Sequence, residues 1–180
     1  MSRALYLIGA PGVGKSSVMD ELLSEWTVEE EAVRLAPTLL FGHWMARDDE
    51  VGLYVGVRRP KFSGTDAFGM AVMPHAVSWV ESAELPDLVL AEGAKLGSPK
   101  FLVPLSRRAE LLVALLTASP EVLADRRAAR ATNQDSTWLR GAETRAREAA
   151  RRCRQAGLRV VEVDASGTSA EVADNFRAIC

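Results

Sequence analysis

The chain has 180 residues, 48% of them hydrophobic and 26% charged, which fits one soluble globular domain with a sizeable core and excludes a disordered or low-complexity chain. A net charge of -2 and a sequence pI near 5.8 argue against a protein that coats nucleic acid nonspecifically, while leaving room for a local basic groove. No apolar run approaches the roughly 18 residues of a membrane span, and the chain enters its first strand with no charged leader, so the expected location is the cytoplasm.

In chain order, Ala4 to Gly9 is a short apolar run that reads as a buried parallel strand, and a helix is predicted over Ser16 to Leu23. The stretch from Arg34 to Gly64 is less regular. Leu40 to Met45 and Val51 to Val57 read as strands joined by residues 46–50 into a hairpin, a candidate substrate-side insertion over about 36–66. A helix-like stretch with Phe68, Met70, Val77 and Trp79 follows, then apolar strands at Asp87 to Ala91 and Leu111 to Thr117. Ser119 with Pro120 signals the start of another helix.

Between Ser136 and Ala156, Trp138, Leu139, Ala142, Ala146, Ala149 and Cys153 recur at helical spacing, and Gly157 supplies a stop. Leu158 to Val163 reads as the last strand. Thr168 with Glu171 forms a capping-box pattern ahead of Val172, Phe176 and Ile179, which share one helix face. The alternation predicts a single α/β layered domain over 1–180 with a mostly parallel central sheet.

Gly9-Ala10-Pro11-Gly12-Val13-Gly14-Lys15-Ser16 satisfies the pattern GxxxxGK followed by Ser or Thr, directly after a strand and before a helix. Glycines there let successive backbone N–H groups point inward at phosphate oxygens, and the following helix adds its positive end. The expected ligands are ATP and Mg2+. Lys15 would sit against the β- and γ-phosphates, and Ser16 would offer its hydroxyl to magnesium. Ser17 either touches the α-phosphate or caps the helix. Leu88 to Gly93 is an apolar strand ending in Glu92, a position for a carboxylate that holds magnesium through water or orients the nucleophile.

Nine arginines lie from Arg126 to Arg154, against Asp135, Glu143 and Glu148, so polyanionic ligands are the natural partners of that region. Cys153 and Cys180 have neither disulfide nor zinc spacing and read as ordinary thiols; no carboxylates cluster around His43 or His75 to suggest a metal site.

These motifs resemble the P-loop nucleoside and nucleotide kinases over nearly the full length, which implies a three-layer αβα fold. Pro120 to Arg130 is similar to the LxxRxxxR segment that opens the lid of adenylate-kinase-like enzymes, so the resemblance implies that Arg126 and Arg130 cover the nucleotide phosphates. Arg140, with the run Glu143 to Arg147, resembles the far side of a short lid over about 126–140. Val160 to Thr168 looks like the last strand and loop of small-molecule kinases, which implies that residues 165–168 pass the adenine ring.

On the acceptor side, Arg58, Arg59 and Lys61 would hold a substrate phosphate, and Phe62 or Phe68 would stack on a base. Asp66 would either take the proton of the attacking hydroxyl or serve as a helix N-cap. Gly64-Thr65-Asp66, the preceding arginines and the Leu90-Ala91-Glu92-Gly93 strand end together resemble the phage 5-hydroxymethyldeoxyuridine DNA kinases, implying hydroxymethyluracil in DNA as acceptor. A soluble nucleoside or nucleotide kinase and a nucleotide-dependent ATPase or switch are the alternatives.

Overall fold

The computed structural model describes residues 1–35, 37–59, 63–129 and 136–180. Strand β1 (Ser2–Gly9) leads through the glycine-rich loop into α1 (Lys15–Leu23). Two short strands, β2 (Thr27–Val28) and β3 (Val33–Arg34), precede the hairpin β4 (Phe41–Arg47) and β5 (Glu50–Val55). A 3-10 turn at Thr65–Ala67 leads to α2 (Val72–Ser82), β6 (Leu88–Glu92), α3 (Pro99–Ser106) and β7 (Ala109–Thr117). The chain closes with α4 (Pro120–Ala129), α5 (Ser136–Gln155), β8 (Val160–Asp164) and α6 (Ser169–Asp174).

The sheet order is β2-β4-β5-β6-β1-β7-β8, with β3 also pairing β4. Strands β5, β6, β1, β7 and β8 are mutually parallel, and β4 with its short partners forms an antiparallel flank. The hairpin is therefore continuous with the central sheet: β5 pairs with β6 from Gly52↔Leu88 to Val55↔Ala91.

Alternation along β1 divides the core. Ala4, Tyr6 and Ile8 face one side, where they pack with residues of α2, α3 and α5, including Trp79, Phe101 and Ala150. Leu5 and Leu7 face the other, with Val18, Met19 and Leu22 of α1 and Val172 and Phe176 of the C-terminal segment. Helices on both faces of a mostly parallel sheet make the three-layer α/β fold expected from the alternation. Cys153 and Cys180 are buried, and burial pushes each thiol up to about 11, consistent with packing roles. Among the described residues, no helix is long and apolar enough to cross a membrane.

Because five strands run the same way, the segments after β5, β6, β1, β7 and β8 gather at one edge of the sheet. In open α/β sheets, that carboxyl edge is where ligands bind.

Candidate phosphate and acceptor site

The glycine-rich loop turns directly off the central strand. Gly12 (φ 85) and Gly14 (φ 106) occupy left-handed backbone that residues with a Cβ rarely adopt, and Gly14 is also the N-cap of α1. The Lys15 ammonium donates to the carbonyls of Gly9 (3.0 Å) and Ala10 (3.2 Å). One residue on, the Ser16 hydroxyl donates to Glu92 Oε1 at 2.8 Å. Ser17 does not cap the helix: no side chain does, and Ser17 instead lines a neighbouring cavity.

Glu92 ends β6 beside β1, in register with Leu7, and is only 1% exposed. Burial pushes its carboxyl above the ordinary carboxylate range; Lys15 and Ser16 pull it down, while Asp66 and Asp20 push it further up. Gly64 is pressed against this residue: a Cβ there would lie 2.6 Å from the Glu92 carbonyl and 2.7 Å from its carboxyl. Thr65 is fully buried, and its hydroxyl meets that of Tyr6 at 3.0 Å, while Tyr6 also donates to the Gly93 carbonyl. Gly64-Thr65-Asp66 is thus locked onto the Glu92-Gly93 strand end.

Asp66 accepts from the backbone N–H groups of Ala94 (2.8 Å) and Lys95 (3.3 Å). It therefore caps the loop after β6. It is not the N-cap of the helix that follows; α2 begins at Val72 with Ala71 as its N-cap. The Lys95 ammonium reaches the Phe68 carbonyl, Arg59 donates to the Ala67 carbonyl, and Phe68 itself packs in the core. Arg58 pairs with Asp20 at 3.4 Å, and its backbone N–H donates to His43 Nε2. Buried Tyr54 completes this side: its phenol hydrogen-bonds Ser63, and burial, reinforced by the Glu92 and Asp20 carboxylates, raises its pKa well above the ordinary range.

Across α1 lies a cavity of about 210 Å³, lined by Gly14, Ser17, Arg126 and, after β8, Ala165, Gly167, Thr168 and Ser169. Arg126 donates to the carbonyls of Val13 (2.9 Å) and Gly167 (2.8 Å), joining the glycine-rich loop to the segment after β8. Arg127, not singled out from the sequence, donates through Nε and an Nη to the Pro11 carbonyl at 3.3 and 3.2 Å. Arg140 lies on α5, where it donates to Thr137 of the same helix at 3.5 Å. Arg130, Lys61 and Phe62 lie outside the described residues.

Asp20 and Tyr54 were also missed. Asp20 stands one helical turn after Ser16, a spacing that places both on one face of α1 and that the sequence alone displays. Tyr54 sits in the unremarkable apolar pattern of β5, and only the strand order brings it near Glu92.

A phosphate-binding loop off the central strand, a buried carboxylate against its serine and an arginine-bearing helix over it define a P-loop kinase of nucleotide-binding type. The family described as P-loop Nucleotide Kinase3 matches residues 1–178, and the chain belongs to it. No curated protein matches the chain. Among solved structures, an unliganded sugar kinase from Janibacter sp. HTCC2649 is similar at a TM-score of 0.54 and 12% identity, covering 99% of this chain and 94% of that one, which speaks to the fold alone. The G domain of the T. maritima FeoB iron transporter is similar at a TM-score of 0.37 and 12% identity, with 97% and 96% covered, too low to support an argument.

Proposed function

We propose that this chain is an ATP- and magnesium-dependent kinase that phosphorylates a hydroxyl of a nucleic-acid component, specifically the 5-hydroxymethyl group of 5-hydroxymethyluracil in DNA. The observation that carries the reading is the convergence of three separate short motifs on one shelf. Gly64-Thr65-Asp66 packs on Glu92-Gly93, with Arg58 on the same segment and Ser16 hydrogen-bonded to Glu92.

The residues present fit the ligands. ATP supplies the transferable phosphoryl group, and magnesium supplies charge neutralisation on it. Gly9 to Gly14 would cradle the phosphates with backbone N–H groups, and Lys15, which donates to the Gly9 and Ala10 carbonyls, would turn to phosphate oxygen. Ser16 and Glu92, in contact at 2.8 Å, would hold the metal. Ser17 lines the cavity and would meet the α-phosphate, and residues 165–168 would flank the base. Arg126 stands at the junction of these two regions, with Arg130 and Arg140 as the remaining lid cations. Asp66, whose Oδ1 accepts from the Ala94 and Lys95 N–H groups, would take the hydroxyl proton. A base stacked in duplex must be flipped out, or presented on a single strand, to reach such a site.

A substrate screen tests the proposal. Phosphate transfer from labelled ATP is measured to single-stranded and duplex oligonucleotides carrying hydroxymethyluracil, to the same oligonucleotides with thymine, and to free nucleosides and nucleotides. Transfer confined to hydroxymethyluracil oligonucleotides is expected. Transfer to free nucleosides or nucleotides alone would replace this reading with that of a small-molecule kinase.

A further inference from the structure

We propose that Arg127 is a positioning residue for the phosphate loop, holding its outer carbonyl face so that the inner N–H groups stay aimed at nucleotide phosphates. The inference rests on the loop being the nucleotide site and goes beyond the lid roles assigned to Arg126 and Arg130.

A loop that points several N–H groups into one concavity must turn carbonyl groups outward, and those oxygens need donors of their own. Here cationic side chains supply them: Lys15 on Gly9 and Ala10, Arg127 on Pro11 and Arg126 on Val13. The three cations are not equivalent. Lys15 comes from the first turn of α1 and is the group that would leave the carbonyls for phosphate. Arg127 comes from α4 and reaches the Pro11 carbonyl with two nitrogens of one planar fork, a geometry that lysine cannot reproduce.

Its stem adds a steric constraint. A Cβ on Gly12 would lie 3.2 Å from Arg127 Cγ, so the side chain lies along the loop at the residue whose left-handed φ of 85° sets the turn. Fork and stem together restrain the turn at Pro11 and Gly12. Arg126 divides its fork between Val13 and Gly167 and so serves both the loop and the base-side segment. Arg127 brings two nitrogens to the single Pro11 carbonyl.

Such a group contributes to binding, not to the chemical step. Arg127→Ala is expected to weaken ATP and ADP about tenfold, the order expected for loss of a charged hydrogen bond, with kcat at saturating ATP within about twofold of wild type. Arg127→Lys, which keeps the charge without the fork, is expected to lose about threefold by the same measure. Affinity is read by titration with a fluorescent ATP analogue and needs no acceptor; kcat is read on whichever acceptor is turned over.

Unchanged affinity in both variants overturns the proposal, including the case in which only the melting temperature falls. A loss confined to kcat also overturns it and makes Arg127 a group acting on the transferred phosphoryl. Should Arg127→Ala fail to fold, Arg127→Lys carries the test with the same readouts. Wild-type protein that binds no nucleotide would instead refute the phosphate-site reading beneath it.

Discussion

Replacing Gly64 by alanine probes the contact on which the acceptor shelf depends. Its backbone (φ 68, ψ -145) lies where a Cβ is disfavoured, at a cost of about 1–3 kcal/mol. The added methyl would also stand 2.6–2.7 Å from the carbonyl and carboxyl of Glu92, an overlap with backbone that costs about 1–3 kcal/mol to relieve. Partial relaxation brings the expected loss to about 3 kcal/mol, or about 6–12 °C in melting temperature for a domain of this size.

Two controls separate the terms. Gly157 has φ 81 with nothing within 4 Å of an added Cβ, so Gly157→Ala reports backbone strain alone, about 1 kcal/mol. Gly69 has no positive φ and open space, and Gly69→Ala should change stability by less than about 0.5 kcal/mol. Thermal melts of the three variants, with and without magnesium, are the assay. If Gly64→Ala melts no lower than Gly157→Ala, the shelf is not packed on Glu92 and the reasoning fails.

The remaining expectations concern charge. Asp66→Asn keeps an oxygen for the Ala94 and Lys95 N–H groups, so its melting temperature should stay within a few degrees while turnover collapses; near wild-type turnover would reduce Asp66 to a loop cap. Glu92 is held above its ordinary value of 4.5, so between that value and its raised folded value the folded state binds more protons than the unfolded chain, and stability falls as pH rises through the window. Without magnesium, Glu92→Gln should remove that decline, and parallel melting curves for variant and wild type from pH 4.5 to 8 would contradict the burial argument. Arg58 is 43% exposed in its pair with Asp20 and free to exchange partners. Arg58→Ala should lower the salt slope of oligonucleotide binding by about one, and an unchanged slope would remove Arg58 from the backbone contacts.

What could be read from the sequence depended on whether the information was contiguous. The strand, loop and helix from Ala4 to Leu23 follow from a motif whose glycines, lysine and serine are neighbours in the chain. The capping box at Thr168 and Glu171 is equally local, and both of its hydrogen bonds are present. The hairpin was recognisable from two apolar runs, but not the pairing of β5 with β6 that brings Tyr54 toward Glu92, because strand neighbours are set by packing between distant segments. Two-residue strands such as Thr27–Val28 and Val33–Arg34 carry no periodicity at all. Among the arginines, composition marked the right region, yet Arg126 and Arg127 are adjacent and alike in sequence. Only the orientation of α4 gives one to Val13 and Gly167 and the other to Pro11.

Helix α1 touches different neighbours on its two sides. Ser16 and Asp20 meet Glu92 and Arg58, while Ser17 and Val18 line the cavity and Glu21 accepts from Ser169 at 2.8 Å. In the function proposed above, the helix would act as a partition wall between the donor compartment and the acceptor compartment, with the phosphate loop as the doorway at its end. Acceptor preference can then diversify through the segment between Gly56 and Phe68 and the exposed residues opposite it, without rebuilding the nucleotide compartment. A transplant of that segment from a relative with another acceptor should carry its specificity along while leaving ATP affinity where it was.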